Sequence, residues 1–346
     1  MKHRIPALLC ALLLILGLSG CETAPAAQAS PPPEGSTLAV HFIDVGQADA
    51  ALLLCGGQAM LIDGGNVADS SLVVSYLERQ GVEALDYVVC THAHEDHVGG
   101  LSGPLNTCTA AHVLSPVADY DSKAFRDFAK YTAAQGLELE IPAPGDAFPL
   151  GEAEVTVLGP VRDYGETNNT SLVLRVEFGE TSFLFTGDME REAEADLLEA
   201  GAALESTVLK VGHHGSDTST SYPFLRAVAP RYAVISVGEG NSYGHPTEAA
   251  LSRLRDADTT VYRTDLQGTV VAVSDGNAIS FTTGRDAAPA PGRADEGEMR
   301  YIGNANSHVF HLDTCSGLPA EKNQVEFASR AEAAAAGYTP CGRCKP

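Results

Sequence analysis

Apolar, β-branched runs in this chain end, again and again, on a side chain that binds metals. Asp86-Tyr-Val-Val-Cys90 leads into Thr91-His92-Ala93-His94-Glu95-Asp96-His97. Phe183-Leu-Phe-Thr-Gly187 leads into Asp188, and Thr207-Val-Leu-Lys-Val-Gly212 into His213 and His214. Leu61-Ile62 and Phe42-Ile43 stop on Asp63 and Asp44. A lone Asp after a strand usually caps a helix. The recurrence is the constraint, because the chain must fold so that several strand ends converge on one rim.

The densest of these runs carries three imidazoles and two carboxylates within six residues. On an extended segment His92 and His94 share a face, because residues i and i+2 point the same way. Asp96 and His97 then reach a second point nearby. Imidazole and carboxylate are the usual ligands of Zn²⁺, Mn²⁺ and Fe.

Periodicity predicts strands at 38–44, 50–55, 59–63, 85–91, 111–115 and 137–141, with helices at 69–80 and 122–135. A second half follows, with strands at 152–158, 171–178, 181–187, 206–211 and 231–237 and helices at 189–200, 222–228 and 246–257. Strands at 259–263, 268–274 and 278–283 close it. Many strands with few helices between them point to an α+β fold in which two packed sheets carry helices outside.

Both ends differ from this body. Lys2 and Arg4 precede an apolar run over 5–18, followed by Leu18-Ser19-Gly20-Cys21. The run is too short to span a bilayer, which needs roughly 20 residues, and the pattern is that of a secretory signal. Its end resembles a bacterial lipobox, which implies a signal peptide over 1–20, a lipid on Cys21 and an extracytoplasmic protein on a membrane tether. Residues 21–37, rich in Ala and Pro, are expected to form a stalk. The body is expected over 38–284, a linker over 285–298 and a small module over 299–346. Cys55, Cys90 and Cys108 are expected to be free thiols rather than disulfide staples. The formal charge of −23 argues against long-range, sequence-independent attraction to nucleic acid. It leaves room for a metal centre that supplies its own positive charge.

The His92-x-His94-x-Asp96-His97 run, the Thr186-Gly187-Asp188 motif and the later Gly212-His213, taken in order, resemble the successive metal motifs of the metallo-β-lactamase superfamily. Phe42-Ile-Asp-Val-Gly-Gln47, Asn168-Asn-Thr-Ser-Leu172, Lys210-Val-Gly-His-His-Gly-Ser216, Asn241-Ser-Tyr-Gly-His-Pro246 and Arg263-Thr-Asp265 resemble more closely the soluble metallohydrolase domain of ComEC-type DNA-uptake proteins. The resemblance implies a four-layer αββα sandwich. It implies two divalent metals, Zn²⁺ or Mn²⁺, the first on His92 and His94 and the second on Asp96 and His97, with Asp188 bridging. His213 is expected to complete the second site, with His214 the alternative. Asn168 and Asn169 stand where many members of the superfamily carry a further His, so the first site is expected to be more open. Asp63 and Asp44 are expected to orient ligating imidazoles. Lys210 and His245 are expected to assist catalysis together with Asp96 and Asp188, and Asn241 to stand beside His245. His41 and His112 carry no expected role.

At the C-terminus, His311-Leu-Asp-Thr-Cys315 and Cys341-Gly-Arg-Cys344 form two ligand pairs suited to a closed tetrahedral zinc. A module this small needs such a staple. A helix is expected over 329–337, capped by Ser329 and ended by Gly337. The segment resembles the zinc-binding domain of the Ada DNA-repair protein. His311 replaces the first Cys of that domain, so a structural zinc is expected here rather than methyl transfer.

These readings predict a surface-anchored, metal-dependent phosphodiesterase or nuclease that attacks extracellular DNA through metal-bound hydroxide. Hydrolysis of an envelope phosphodiester, ester or lactam is the alternative. An inactive DNA- or envelope-binding lipoprotein is the reading from outside enzymology. No multi-helix channel of the kind that moves DNA across a membrane is expected.

Overall fold

The computed structural model describes residues 35–290, 301–312, 315, 317–327, 332–333 and 336–341. The expected signal peptide, Cys21, most of the stalk, linker positions 291–298, Ser329 and Cys344 lie outside the described residues. Among the described residues no helix is long and apolar enough to cross a membrane.

The first half contributes strands β1 (Leu38–Phe42), β2 (Ala51–Cys55), β3 (Gln58–Ile62), β4 (Ala84–Val89) and β5 (Thr109–Leu114). Helices α1 (Ser70–Arg79), α2 (Glu95–Val98), α3 (Ser102–Thr107) and α4 (Lys123–Ala134) lie among and after them. The second half contributes β6 (Ala147–Leu150), β7 (Ala153–Gly159), β8 (Val173–Phe178), β9 (Thr181–Phe185), β10 (Val208–Lys210), β11 (Tyr232–Ile235) and β12 (Thr260–Arg263). Its helices are α5 (Arg191–Glu199), α6 (Tyr222–Val228), α7 (Glu248–Asp256) and α8 (Thr264–Gln267). Strands β13 (Val270–Ser274) and β14 (Ile279–Thr283) then return to the first sheet. The two seven-stranded sheets run β14-β13-β1-β2-β3-β4-β5 and β12-β11-β10-β9-β8-β7-β6.

Three apolar layers make this an αββα sandwich. Val40, Phe42, Leu53, Met60 and Ile62 of one sheet meet Val155, Leu174, Val176, Phe183 and Phe185 of the other. On the outside of the first sheet, Leu52, Leu61 and Val88 pack with Val73 and Leu77 of α1 and Phe125 and Phe128 of α4. On the outside of the second, Leu184, Leu209 and Ile235 pack with Leu197 of α5, Phe224 of α6 and Leu254 of α7. Central strands covered on both faces read as continuous apolar runs, which is why the strands carrying the ligands were the most legible ones.

Sheet direction places the site. Strands β3, β4 and β5 are parallel, as are β9, β10, β11 and β12. Their C-terminal ends therefore open along the same edge, where crevices form in parallel sheets. Strand β1 runs antiparallel to β2, and β2 to β3, so the β1–β2 loop joins that edge.

Four local expectations change. The run 137–141 forms no strand, making a single bridge from Glu140 to Leu114. Residues 147–150 do form one, an edge strand that tolerates Pro149 because one side needs no donors. Residues after His94 turn helical through α2 and α3 despite Gly99, Gly100, Gly103 and Pro104. Gly100 is required there, because a Cβ on it would sit 1.8 Å from the Gly64 carbonyl oxygen. Positions 285–290 of the expected linker are held to the body, with Ala290 exchanging backbone hydrogen bonds with Val261 at 2.9 Å and Arg285 bridging Asp44 at 2.7 Å.

In the C-terminal segment, β15 (Tyr301–Asn304), β16 (Val309–Leu312), β17 (Gln324–Phe327) and β18 (Thr339–Pro340) form a sheet in the order β17-β15-β16-β18. Glu332 and Ala333 are helical, and Gly337 takes a φ of +82°, the left-handed conformation of a helix stop. Cys55, Cys90 and Cys108 are free.

Candidate metal centre

Asp188 stands at the middle of the rim. Strand β9 ends at Phe185, and Gly187 turns the chain with a φ of +49°. A Cβ on Gly187 would meet Ser171 Oγ at 2.7 Å and Thr91 Cβ at 3.0 Å, so only glycine fits. Ser171 Oγ in turn accepts the Asp188 N–H at 3.1 Å. The carboxylate is thereby delivered, almost fully buried, among four imidazoles. Its Oδ1 lies 3.2 Å from His97 Nε2. Its Oδ2 lies 3.6 Å from His214 Nε2, 3.8 Å from His213 Nε2 and 3.9 Å from His92 Nε2.

The imidazoles are themselves oriented. His97 is fully buried, and its Nδ1 sits 2.8 Å from Asp63 Oδ2. Asp63 also accepts the Thr91 N–H at 2.8 Å and the Thr91 hydroxyl at 2.7 Å. This is the orienting role expected of Asp63. Asp44 does not share it, since its carboxylate binds Arg285 and the Gly46 N–H instead. His92 Nε2 and His94 Nδ1 lie 3.1 Å apart. His214 Nδ1 faces the Ser236 carbonyl at 3.0 Å, which leaves Nε2 aimed at Asp96 Oδ2, 3.3 Å away.

One contact tests whether these residues fit metals. With the Nδ1 proton of His97 given to Asp63, the lone pair on Nε2 points at the Asp188 carboxylate, and neither Nε2 nor Asp188 Oδ1 has a hydrogen-bond partner among the described residues. Two facing electron pairs need a cation between them, either a proton or a metal. Asp96, His97, Asp188 and His214 bring one ligand atom each within 4.8 Å of one another, a donor set suited to Zn²⁺ or Mn²⁺. Without a metal, protons do this work. Burial opposes charge on His214, but Asp188 and Asp49 outweigh it and hold its imidazole up to about 10. Burial likewise opposes charge on His97, which Asp188 and Asp63 nevertheless hold well above its ordinary value.

The structure orders the two adjacent histidines differently from the sequence. His214, the alternative, joins Asp96, His97 and Asp188. His213 faces Asp188 from another side, its Nδ1 near Thr218 Oγ1 at 3.2 Å and Glu190 at 3.3 Å. Both take positive φ, 51° and 52°, an uncommon conformation for non-glycine residues that turns two successive rings into one site. Asn168 and Asn169 brace the segment after Asp188. Asn169 accepts the Glu190 N–H at 2.9 Å, and Asn168 donates to the Glu190 carboxylate at 3.3 Å.

Lys210 is not presented to a substrate. Its ammonium lies 2.6 Å from Asp49 Oδ2, with both side chains more than nine-tenths buried. Asp49 is the functional residue that sequence reasoning missed. It comes from the β1–β2 loop and lies 3.4 Å from His214 Nδ1 and 3.9 Å from His97 Nδ1. A lysine inside the apolar run of β10 was the available signal, since a buried charge implies a buried partner.

His245 sits outside the cluster, its ring centroid 5.8 Å from that of His213. Asn241 shapes the turn that carries it, accepting the His245 N–H at 3.1 Å. His41 is buried against the Tyr76 hydroxyl at 2.8 Å, and His112 pairs with Glu140 at the surface, both away from the cluster. In the C-terminal segment, His311, Cys315 and Cys341 bring their ligand atoms within 4.8 Å of one another. Strands β16 and β18 cause this, with the Cys341 N–H donating to the Phe310 carbonyl at 2.9 Å.

Known proteins share these features. The profile of the metallo-beta-lactamase superfamily matches residues 43–239, and that of the metal binding domain of Ada matches 295–346. ComE operon protein 3 of Bacillus subtilis (strain 168) is 30% identical over 250 residues, which cover 67% of this chain and 32% of that protein. Competence protein ComA of Neisseria gonorrhoeae is 33% identical over 259 residues, covering 73% of this chain and 33% of its own. The chain thus spans about a third of the length of these curated relatives. Among solved structures, the metallo-beta-lactamase fold protein YhfI from Bacillus subtilis aligns over 69% of this chain and 100% of its own, with 14% identity and a TM-score of 0.49.

Proposed function

The chain belongs to the metallo-β-lactamase superfamily, as a metal-dependent hydrolase of the ComEC type with a C-terminal Ada-like metal-binding module, and from that premise we propose that it is a phosphodiesterase acting on extracellular DNA. The observation that carries the reading is the Asp188 carboxylate set among His92, His97, His213 and His214 at the sheet edge. Divalent cations at such a cluster lower the pKa of water and neutralise charge on a phosphoryl group. The competence proteins among the relatives support a nucleic-acid substrate.

The chain's own residues divide the labour. Asp188 offers its two oxygens to opposite sides of the cluster. Asp63 and the Ser236 carbonyl fix the rings of His97 and His214 from behind, so that each presents Nε2. His92 and His94 supply a second pair of nitrogens from the bend that follows β4. Asp96, a third exposed, reaches towards solvent and marks the side from which a phosphodiester enters. His245 stands beyond His213, at the outer side of the cluster. Lys210 serves the site indirectly, by neutralising Asp49 beneath it. We further propose a lipid on Cys21 that holds the enzyme outside the cytoplasm.

The test is hydrolysis of bis(p-nitrophenyl) phosphate and single-stranded DNA by the full chain loaded with Mn²⁺ or Zn²⁺, beside Asp188→Asn. Both substrates are cleaved by the wild type and neither by the variant, which also retains less metal. Turnover of lactams, lactones or amides with no phosphate ester cleaved sinks the proposal. Metabolic labelling with a radioactive fatty acid, lost in Cys21→Ser, tests the anchor.

A further inference from the structure

One large apolar side chain at this rim is turned out to water and held there. Tyr243 is 71% exposed, the most exposed large hydrophobic residue among those described. Isolated exposed aromatics are ordinary, but the loop that carries this one is tied down. Asn241 ties its loop at four points. The amide donates to the carbonyls of Gly238 at 2.9 Å and His245 at 2.6 Å, and accepts the N–H groups of Tyr243 and His245 at 3.1 Å each. The Gly238 N–H also reaches Gln47 Oε1 at 3.1 Å, which fastens the loop across to the first sheet.

Its ring continues a line of rings into the metal centre. Tyr243 stacks on His245 with centroids 5.8 Å apart and planes 21° apart. His245 meets His213 at 5.8 Å and 71°, and His213 Nε2 lies 3.8 Å from Asp188 Oδ2. Nδ1 of His245 is buried and has no hydrogen-bond partner among the described residues. The exposed face of Tyr243 is thus two ring steps from the carboxylate at the heart of the site.

Charge narrows what this face takes. At a formal −23, net charge supplies no long-range attraction to a polyanion. Attraction must come from the metal cluster and from contacts that need no charge. Base stacking is such a contact, and it is tolerant of base identity. Internal bases of a duplex have both faces covered, so only an unpaired or terminal base is free to lie on a tyrosine.

We propose that Tyr243 is the platform for an unpaired nucleobase adjoining the phosphodiester at the Asp188 cluster, so that the enzyme takes single strands and frayed ends in preference to continuous duplex. The inference rests on the nuclease reading for the identity of the strand, but its binding readout is independent of turnover.

The experiment measures fluorescence anisotropy of labelled oligothymidylate with a hydrolysis-resistant phosphorothioate backbone, using the full, metal-loaded chain, its Tyr243→Ala variant and its Tyr243→Phe variant. A backbone of the same length with abasic residues and a duplex of the same length serve as competitors. Tyr243→Ala is expected to weaken binding roughly 5- to 100-fold, the range for one lost stacking contact, and Tyr243→Phe to keep it. The abasic strand should bind the wild type about as weakly as oligothymidylate binds Tyr243→Ala. Equal affinity of wild type and Tyr243→Ala overturns the inference, as does a wild type that fails to bind oligothymidylate. Binding through Tyr243 without cleavage of any phosphate ester leaves the platform standing and overturns the nuclease instead.

Discussion

Replacing Lys210 by methionine should destabilise the metal-free protein more than almost any other single change at the site. The Lys210 ammonium is 2.6 Å from Asp49, and the two side chains are 5% and 7% exposed. The methionine stem fills most of the lysine's volume, so packing is little altered. What changes is charge, because Asp49 is left as a buried carboxylate without its main counter-ion. Breaking such a pair by removing one partner costs about 3–5 kcal/mol. At a urea slope of about 3 kcal/mol/M the unfolding midpoint should fall by about 1 M or more. Burial alone would raise the Asp49 carboxyl, but Lys210, then His214 and His97, outweigh it and hold it well below its ordinary value. A depressed carboxyl contributes stability above its unfolded pKa and loses it as pH falls. With Lys210 gone that depression shrinks, so the gap between variant and wild type should hold steady from neutrality to about pH 4 and close only in more acid solution. Urea denaturation of chelator-treated protein across that range reads both effects, and Lys210→Met/Asp49→Leu should recover most of the loss. A loss under about 1 kcal/mol in the single variant, or none recovered in the double, refutes the reasoning.

Four further outcomes follow from the geometry. Because His214 is held up to about 10 in the metal-free state, its contribution to stability is complete below about 6.5 and is lost as pH rises through 10. Chelator-treated protein should therefore melt at falling temperatures over that interval. Metal loading near pH 7 should release protons, detectable as a calorimetric heat that depends on buffer ionisation, and a buffer-independent heat contradicts it. Gly187→Ala should cost about 1–3 kcal/mol, since its φ is +49° and a Cβ would meet Ser171 Oγ at 2.7 Å. It should also weaken metal retention, and wild-type melting with and without metal would show that the turn tolerates a side chain. Cys341→Ser, which removes one of three clustered ligands in the C-terminal segment, should cost one equivalent of zinc by elemental analysis while hydrolysis at the Asp188 cluster continues. Full zinc retention argues against that site.

Much of the fold was legible because the central strands are covered on both faces and so carry unbroken apolar runs. Edges were not. The run 137–141 looked like a strand from its alternating leucines, Leu137 and Leu139, yet only Glu140 bridges to β5. The segment after His94 carried no predicted helix, yet helices α2 and α3 form there, and Gly100 allows the close approach of Gly64 between them. In each case local propensity lost to a contact made far away in sequence.

The site divides along the same line. His92, His94, Asp96, His97 and Asp188 announce themselves, because a ligand type at the end of a buried strand is a local pattern. Asp49, between two alanines, has no such pattern, and it meets Lys210, 161 residues later, only because the β1–β2 loop and β10 open on one edge. Whether His213 or His214 joins Asp96 is likewise invisible in the order of residues. It depends on two left-handed backbone angles and on which ring the Ser236 carbonyl claims. By itself the amino-acid order determined which groups were available and that metals would be their use. Only the packing of the two sheets decided which of them meet, because the charges and lone pairs that must be matched are brought together by burial.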